Sequence, residues 1–458
     1  MMKFDDMFDL LIEPNLRPEP KLILTIDEVV RRVSSPYDVV MKSLMKIREN
    51  IKLNAFITVL EEEALRIAED IESKLRIGKI VGLLAAVPVA VKDNIFTRNI
   101  KTTMASKIFS DYVPKYNADI VNKLLSEDAI IIGKTNLHEF ASGVSNISSY
   151  FGPVRNPYNP EHISGGSSGG SAVAVATNSV PIAIGTDTSG SIRIPAAFCG
   201  VIGYKPSYDL ISREGVFPLA WSLDTIGLLG NNILDIAYVF YTVISNESIK
   251  YRFDLLRIKD GVNPKRVTIG YIHVDEDNPV HKVFMDTLSK LNSEGFNIEK
   301  ISIDIDTINN TQRIIRLAEA AAVHNELFKL RGNDYSPDVA ELIRQGLKIS
   351  ATDYINALRR KIYIASTIAQ LFKRVDIIAT PTVPIVAPKI VEVMGHEIEF
   401  RSIITRYTLL ANLIGIPAIS LPIGKINSLP VGIQLMSDLY NDEKLLTTAN
   451  TIQQIIKY

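Results

Sequence analysis

The segment "FGPVRNPYNPEHISGGSSGGS", residues 151–171, differs sharply in composition from the chain around it. Its three prolines and five glycines among 21 residues oppose regular structure. The Ala/Val-rich "SAVAVATN" at 171–178 then predicts a buried helix, and "PIAIGTDTSGSIRIPAAFCGVIGYKPS" at 181–207 holds two short apolar runs around a polar turn. We therefore expect a glycine–serine loop, a buried helix and a strand ending in a polar turn to follow one another.

The flanking sequence predicts an α/β fold with a mixed sheet. Apolar residues at helical spacing cover 26–77, strand-like residues cover 79–92, and 266–303 has a strand–helix–strand pattern. A further helix is expected over Asn117–Glu127, with Asn117 as its N-cap, and helices dominate 307–374. We expect one domain over residues 1–458, consisting of an N-terminal helical segment (1–77), a core (78–245), a βαβ and helical region (246–375) and a C-terminal return to the core (376–458).

Composition excludes several classes of protein. The 50 Lys+Arg and 51 Asp+Glu among 458 residues nearly cancel, which leaves no basic field to attract nucleic acid. The single cysteine, Cys199, excludes internal disulfides and Cys-rich metal sites, and no two of the six histidines stand at metal-ligand spacing. No signal peptide and no apolar run of the ~20 residues that span a bilayer is visible. We expect a cytoplasmic protein with no metal, no cofactor, no membrane contact and no direct binding to nucleic acid.

The Gly165–Ser171 run alone is compatible with several functions. A flexible loop is the simplest interpretation. A phosphate-binding loop is disfavoured because Asp128 stands where the motif that would end in "GKT" (133–135) needs glycine. Ser164 and Ser167 also break the glycine pattern of a dinucleotide-binding loop. A nucleophile elbow at Ser167 is disfavoured because a proline-rich segment, not a strand, precedes it.

A different catalytic interpretation takes the run together with Lys92 and Ser191. Lys92 ends the apolar run "VAVK", and burial would disfavour its ammonium form, leaving a neutral amine that can act as a general base. Small residues before Ser191 let backbone N–H groups converge in an oxyanion hole, where each donor is worth about 3–4 kcal/mol in the transition state. Each feature taken alone also fits a surface lysine or an ordinary polar turn.

The three pieces together resemble the amidase signature family of serine hydrolases. Lys92 stands in a V-K-D-N context, Ser167 follows 75 residues later within "GGSSGGSA", and Ser191 follows another 24 residues on within "GTDTSGSIRIP". Further family-like segments extend the resemblance over about residues 20–450. It implies a single large α/β domain with a central mixed β-sheet covered by helices on both faces.

The resemblance also implies roles for individual residues. Ser191 would be the nucleophile, Ser167 the bridging serine, held by a cis peptide bond in the family, and Lys92 the terminal base. The backbone N–H groups expected in the oxyanion hole are those of Thr188, Ser189, Gly190 and Ser191. The residues expected to support the loop are Thr186, Asp187 and Arg193. Ser189 stands where the family commonly has glycine, and would be strained if that position needs a positive φ.

Two members of the family fit the chain. The first is a stand-alone amidase that hydrolyses linear amides to carboxylate and ammonia or amine, and it is the one we expect. The alternative is the A subunit of a tRNA-dependent amidotransferase, which hydrolyses glutamine and passes ammonia to a partner. That subunit usually carries an aspartate for the glutamine amino group where this chain has Thr405. A small-molecule amide is the expected partner, a homodimer stays open, and residues 141–149 and Trp221 are candidates for the pocket lining.

Overall fold

The computed structural model describes Ile26, Val29, and residues 35–272 and 278–456. Eleven strands within these ranges form a single sheet. In chain order they are β1 (Phe56–Val59), β2 (Pro88–Lys92), β3 (Ile130–Thr135), β4 (Ile182–Asp187), β5 (Ile202–Lys205), β6 (Thr225–Gly230), β7 (Thr268–Ile272), β8 (Asn297–Ile301), β9 (Ile377–Pro381), β10 (Ala418–Ile426) and β11 (Leu429–Met436). Their order across the sheet is β1-β3-β2-β4-β6-β5-β10-β11-β9-β7-β8.

Helices flank this sheet. In chain order they are α1 (Pro36–Glu49), α2 (Glu61–Arg76), α3 (Asp119–Ser126), α4 (Gly169–Ala176), α5 (Arg193–Cys199), α6 (Ile233–Val243), α7 (Glu247–Arg252), α8 (Leu255–Asp260), α9 (Pro279–Ser293), α10 (Ile305–Arg331), α11 (Pro337–Leu347), α12 (Ala351–Leu371), α13 (Ile390–Val393), α14 (Glu397–Ile404), α15 (Leu409–Ile414) and α16 (Asp442–Ile456). None of the helices in the described ranges has the length and apolarity needed to cross a bilayer.

The sheet is mixed, as predicted. β2 pairs in parallel with both β3 and β4, whereas β4 pairs antiparallel with β6. β2 and β3 are buried along their whole length, which suits the apolar runs "VAV" and "III" because parallel strands are covered on both faces. The predicted strand–helix–strand pattern at 266–303 is also confirmed, since β7 and β8 are parallel and α9 connects them.

Three local predictions differ from the structure. β1 interrupts the helical segment predicted over 26–77, and the part before residue 35 lies largely outside the described residues. The strand predicted over 79–92 shortens to β2 because turns form before Pro88, where the Ala85 amide donates to Gly82 O and the Val87 amide donates to Leu84 O. Asn117 does not cap α3, since its Oδ1 accepts from the Arg98 amide and the helix begins after Ala118.

α10 and α11 pack at unusually short range at Gly346. A Cβ at this position would lie 2.1 Å from the backbone oxygen of Leu317 on α10. The contact fixes how α11 lies against α10, the helix that carries side chains toward the candidate site described below.

We expect Gly346→Ala to lower the free energy of unfolding by about 1–3 kcal/mol, because the added methyl forces the two helices apart. Urea denaturation measures the change. Gly332→Ala is the matched control, because a Cβ there meets nothing closer than 3.6 Å, in the Phe328 ring, and it should shift stability by less than about 0.5 kcal/mol. Equal stabilities for the two variants would contradict the close approach of α10 and α11.

Candidate active site

Lys92, the last residue of β2, lies fully buried among hydroxyl groups. Its Nζ is 2.7 Å from Ser167 Oγ, 2.9 Å from Ser168 Oγ and 2.8 Å from Thr186 Oγ1. Burial lowers the pKa of Lys92 to about 7, and the charges of Asp187 and Asp224 only partly oppose that shift. Lys92 can therefore be neutral near pH 7, and a general base must be neutral to accept a proton.

The glycine–serine segment brings Ser167 and Ser191 together. The Gly166–Ser167 peptide bond is cis. The Ser168 amide donates to Ser191 O at 3.0 Å, which joins the segment to the turn after β4. Ser167 is fully buried, whereas Ser191 retains a little exposure. Within the described residues the hydrogen bonds run from Lys92 to Ser167 and do not continue to Ser191 Oγ, so the last link of the expected chain stays a prediction.

The turn that carries Ser191 is shaped by Gly190. Its φ is +110°, and a Cβ there would come within 2.5 Å of Thr408 Oγ1. Ser189 is not among the residues with positive φ, so the strain considered for this position does not arise. Instead its hydroxyl accepts from Gln312 Nε2 at 2.9 Å, and its carbonyl accepts from Thr408 Oγ1 at 2.6 Å.

One of the four expected oxyanion donors is already in use. The Gly190 amide donates to Asp187 Oδ1 at 2.7 Å, so it faces this carboxylate here, and its expected part in an oxyanion hole stays a prediction. The amides of Thr188, Ser189 and Ser191 have no acceptor among the described residues. These three groups remain as candidate oxyanion donors.

Asp187 and Arg193 form a buried pair that braces this turn. Arg193 donates to Asp187 through Nε at 3.0 Å and Nη2 at 2.9 Å, and Asp187 also accepts from the Ile192 amide at 3.1 Å. Burial alone would raise the pKa of Asp187, but the charge and hydrogen bonds of Arg193 hold it well below its usual range. Arg193 reaches further, to Thr408 O at 2.9 Å and Asn412 Oδ1 at 2.7 Å.

Sequence reasoning missed part of this site. The Ser168 hydroxyl contacts Lys92 Nζ, as the Ser167 hydroxyl does. Its place beside Ser167 in "GGSSGG" was the sequence feature that could have identified it. Thr188 Oγ1 donates to Asp224 at 2.6 Å, and no pattern linked these two residues in the sequence. Thr186, expected near the serine pair, does contact Lys92.

Two cavities lie beside the turn. The larger, of about 710 Å³, includes Ser189, Gln312, Arg316, Arg401 and Thr405 in its lining. The smaller has a volume of about 130 Å³. It is lined in part by Thr186, Thr188, Ala141, Phe217 and Trp221. Trp221 and Ala141, both candidates for the pocket lining, thus line the smaller cavity. The larger cavity is formed mainly by α10, by α14 and by the residues that follow α14.

One group of described residues could hold a metal ion. Ligand atoms of His138, Asp338 and Glu397 lie within 4.8 Å of one another. Two of the three side chains are already paired, since His138 Nε2 lies 2.8 Å from Asp338 Oδ2. Glu397 Oε1 accepts from the Val144 amide at 2.7 Å. The ion pair between His138 and Asp338, with Glu397 held by a backbone amide, accounts for this arrangement.

Comparison with known proteins places the chain in a family. The family model described as Amidase matches residues 38–446. The A subunit of glutamyl-tRNA(Gln) amidotransferase from Sulfolobus acidocaldarius is 37% identical over 94% of this chain and 98% of the relative. A crystal structure of an amidase has a TM-score of 0.86 at 28% identity, covering 94% of this chain and 100% of the other. The crystal structure of the corresponding A subunit from Thermotoga maritima has a TM-score of 0.80 at 30% identity, covering 96% of each chain. The chain belongs to the amidase signature family, whose members are hydrolases of C–N bonds.

Proposed function

We propose that this chain hydrolyses a carboxylic amide to a carboxylate and ammonia through an acyl-enzyme on Ser191. The 2.7 Å contact between the buried Nζ of Lys92 and Ser167 Oγ carries the proposal. An amine with a pKa of about 7 that faces hydroxyls can accept a proton near neutral pH. A lysine that only filled a strand end would be solvated and charged.

The reaction follows from these positions. Neutral Lys92 accepts the Ser167 proton while Ser167 Oγ takes the proton of Ser191, whose Oγ then attacks the amide carbon. The amides of Thr188, Ser189 and Ser191 are the candidates to stabilise the oxyanion. Collapse breaks the C–N bond, and the returning proton leaves with ammonia. Water adds to the resulting ester by the same route, and the carboxylate departs with Ser191 restored.

Two roles are compatible with this chemistry. The curated relatives are A subunits of glutamyl-tRNA(Gln) amidotransferase, and they favour the role of a glutaminase that supplies ammonia to partner subunits. The stand-alone amidase that we expected from the sequence is not confirmed by these comparisons.

One observation keeps the stand-alone amidase as a second candidate. Thr405, which stands where the amidotransferase usually has an aspartate, lies in the lining of the larger cavity. Its hydroxyl donates to Arg401 O at 2.8 Å, and Arg401 and Arg316 line the same space. An ammonium group of glutamine would meet guanidinium groups there and not a carboxylate, which disfavours glutamine as the substrate.

We expect kcat/KM to rise as pH increases through about 7 and then level off. Lys92 must be neutral to accept a proton, and it is neutral above its pKa of about 7. A pH–rate profile for any amide that the protein hydrolyses measures this limb. Lys205→Met is the matched control, because burial also lowers the pKa of Lys205 to about 7. Loss of the limb in this variant, with Lys92 intact, would contradict the assignment.

A fluorophosphonate probe should label Ser191. The expected adduct maps to the peptide holding Ser191 by mass spectrometry, because the activated Oγ attacks phosphorus as it attacks a carbonyl. Ser191→Ala should remove the label and lower kcat by about 10³-fold or more. An adduct on Ser167 in the unaltered protein would overturn the roles given to the two serines.

The two roles differ in what they need for turnover. As part of an amidotransferase, the purified chain should release ammonia from glutamine only with a co-purified partner. As a stand-alone amidase it should release ammonia from simple amides without ATP, tRNA or a partner. An ammonia assay over glutamine and a panel of linear amides decides between them. Turnover of glutamine alone, and only with the partner present, would eliminate the stand-alone role.

A further inference from the structure

The larger cavity connects the Ser191 turn to a group of arginines. Gln312 of α10 reaches the turn, donating from Nε2 to Thr188 O at 3.0 Å and to Ser189 Oγ at 2.9 Å. Arg316 follows four residues later on the same helix and lines the same cavity. Four residues of α-helix rise about 6 Å, so Arg316 lies about one helical turn further along α10 than the residue that contacts the Ser191 turn.

Arg316 is a buried charge for which the described part of the chain supplies no acidic or hydrogen-bonding partner. It is only 3% exposed, and its Nη1 has no hydrogen-bond partner among the described residues. Burial, reinforced by the charges of Arg401 and Arg313, lowers the pKa of Arg316 well below its ordinary value. A buried charge normally has a partner of opposite sign, because leaving water without compensation is costly. The missing partner points to a ligand.

Arg401 adds a second positive charge beside the cavity. Its Nη2 donates to Ser142 O and lies 4.0 Å from Glu397 Oε1, but its buried Nε has no partner in the described part of the chain. Glu397 is itself held by the Val144 amide. Among residues 35–272 and 278–456, one acidic side chain, Asp306, lies in the cavity lining, and it is exposed at the first turn of α10.

The rest of the lining excludes other kinds of ligand. Leu342 and Leu409 supply apolar surface suited to a short methylene chain. An ammonium group would be repelled by Arg316 and Arg401. A wholly apolar amide would leave Arg316 Nη1 and Arg401 Nε without acceptors, whereas a carboxylate could accept from such N–H groups.

We propose that Arg316, with Arg401, binds a carboxylate carried by the substrate, so that the preferred substrates are monoamides of short dicarboxylic acids. The inference rests on the proposed amide hydrolysis and belongs to the stand-alone role, since the same guanidinium groups would repel the ammonium group of glutamine. Arg316 and Arg401 act on specificity and take no part in the proton transfers. The apolar wall and the roughly 6 Å rise favour a spacer of a few methylene groups between amide and carboxylate.

The test compares glutaramate, the monoamide of glutarate, with pentanamide, in which a methyl group replaces the carboxylate. The kcat/KM for ammonia release should be about tenfold or more higher for glutaramate. Arg316→Met should abolish this preference, mainly by raising KM for glutaramate, and Arg316→Lys should restore part of it. Arg331→Met is the matched control, because Arg331 is exposed at the end of the same helix and is not part of the cavity lining, and it should keep the preference.

A second measurement does not depend on the folding of any variant. Glutarate should inhibit the unaltered protein competitively at a concentration about tenfold lower than pentanoate does, because only glutarate offers a second carboxylate. Equal turnover of glutaramate and pentanamide, or a preference that survives Arg316→Met, would overturn the inference while leaving the amidase function intact. Failure of the proposed function is distinct, since then no amide is hydrolysed and Ser191 is not labelled.

Discussion

The candidate site depends on a buried lysine whose acidic neighbours do not restore its positive charge. Each acidic group close to Lys92 has other partners. Asp93, the next residue, forms a 3.0 Å ion pair with Lys134, and Asp187 is held by Arg193. Asp224 binds Thr188, and burial raises its pKa to about 6. Because these charges are compensated elsewhere, the hydroxyl groups around Lys92 do not face a permanent ammonium, and burial decides its protonation.

The pair between Asp187 and Arg193 also ties together parts of the chain that are far apart in sequence. Arg193 is the first residue of α5 and follows directly after the turn that carries Ser191. It donates to the backbone oxygen of Thr408, the residue before α15, and to the side chain of Asn412 on α15. Asn412 in turn donates to Asp187 O at 2.9 Å. The turn at Ser191 is therefore held against the C-terminal part of the chain, which also supplies Thr405 and Arg401 to the cavity wall. The same buried charges orient the reacting groups and position the surface that faces the substrate.

Sequence reasoning went furthest where function leaves a local pattern. Lys92, Ser167 and Ser191 lie in short segments whose glycines and hydroxyls are required by the packing, and the mixed sheet followed from the apolar runs around them. It was less informative where a single hydrogen bond, within a turn or between nearby segments, decided the local geometry. The Asn117 side chain accepts a hydrogen bond from the Arg98 amide, and the Gly190 amide donates to the Asp187 carboxylate. Neither contact leaves a periodicity that a single sequence could reveal.

The substrate could not be inferred from the same residues, for a physical reason. In the proposed mechanism the signature segments define only the bond that is broken, because the lysine, the two serines and the turn at Ser191 would act on the amide group alone. Selectivity depends on what lies beyond the amide, and here that is Arg316 on α10 and Arg401 on α14, which are 85 residues apart. The fold places both on one cavity, whose lining also includes Ser189. The residues proposed for the reaction and those proposed for selectivity therefore lie on different elements, so the signature segments alone do not determine the substrate.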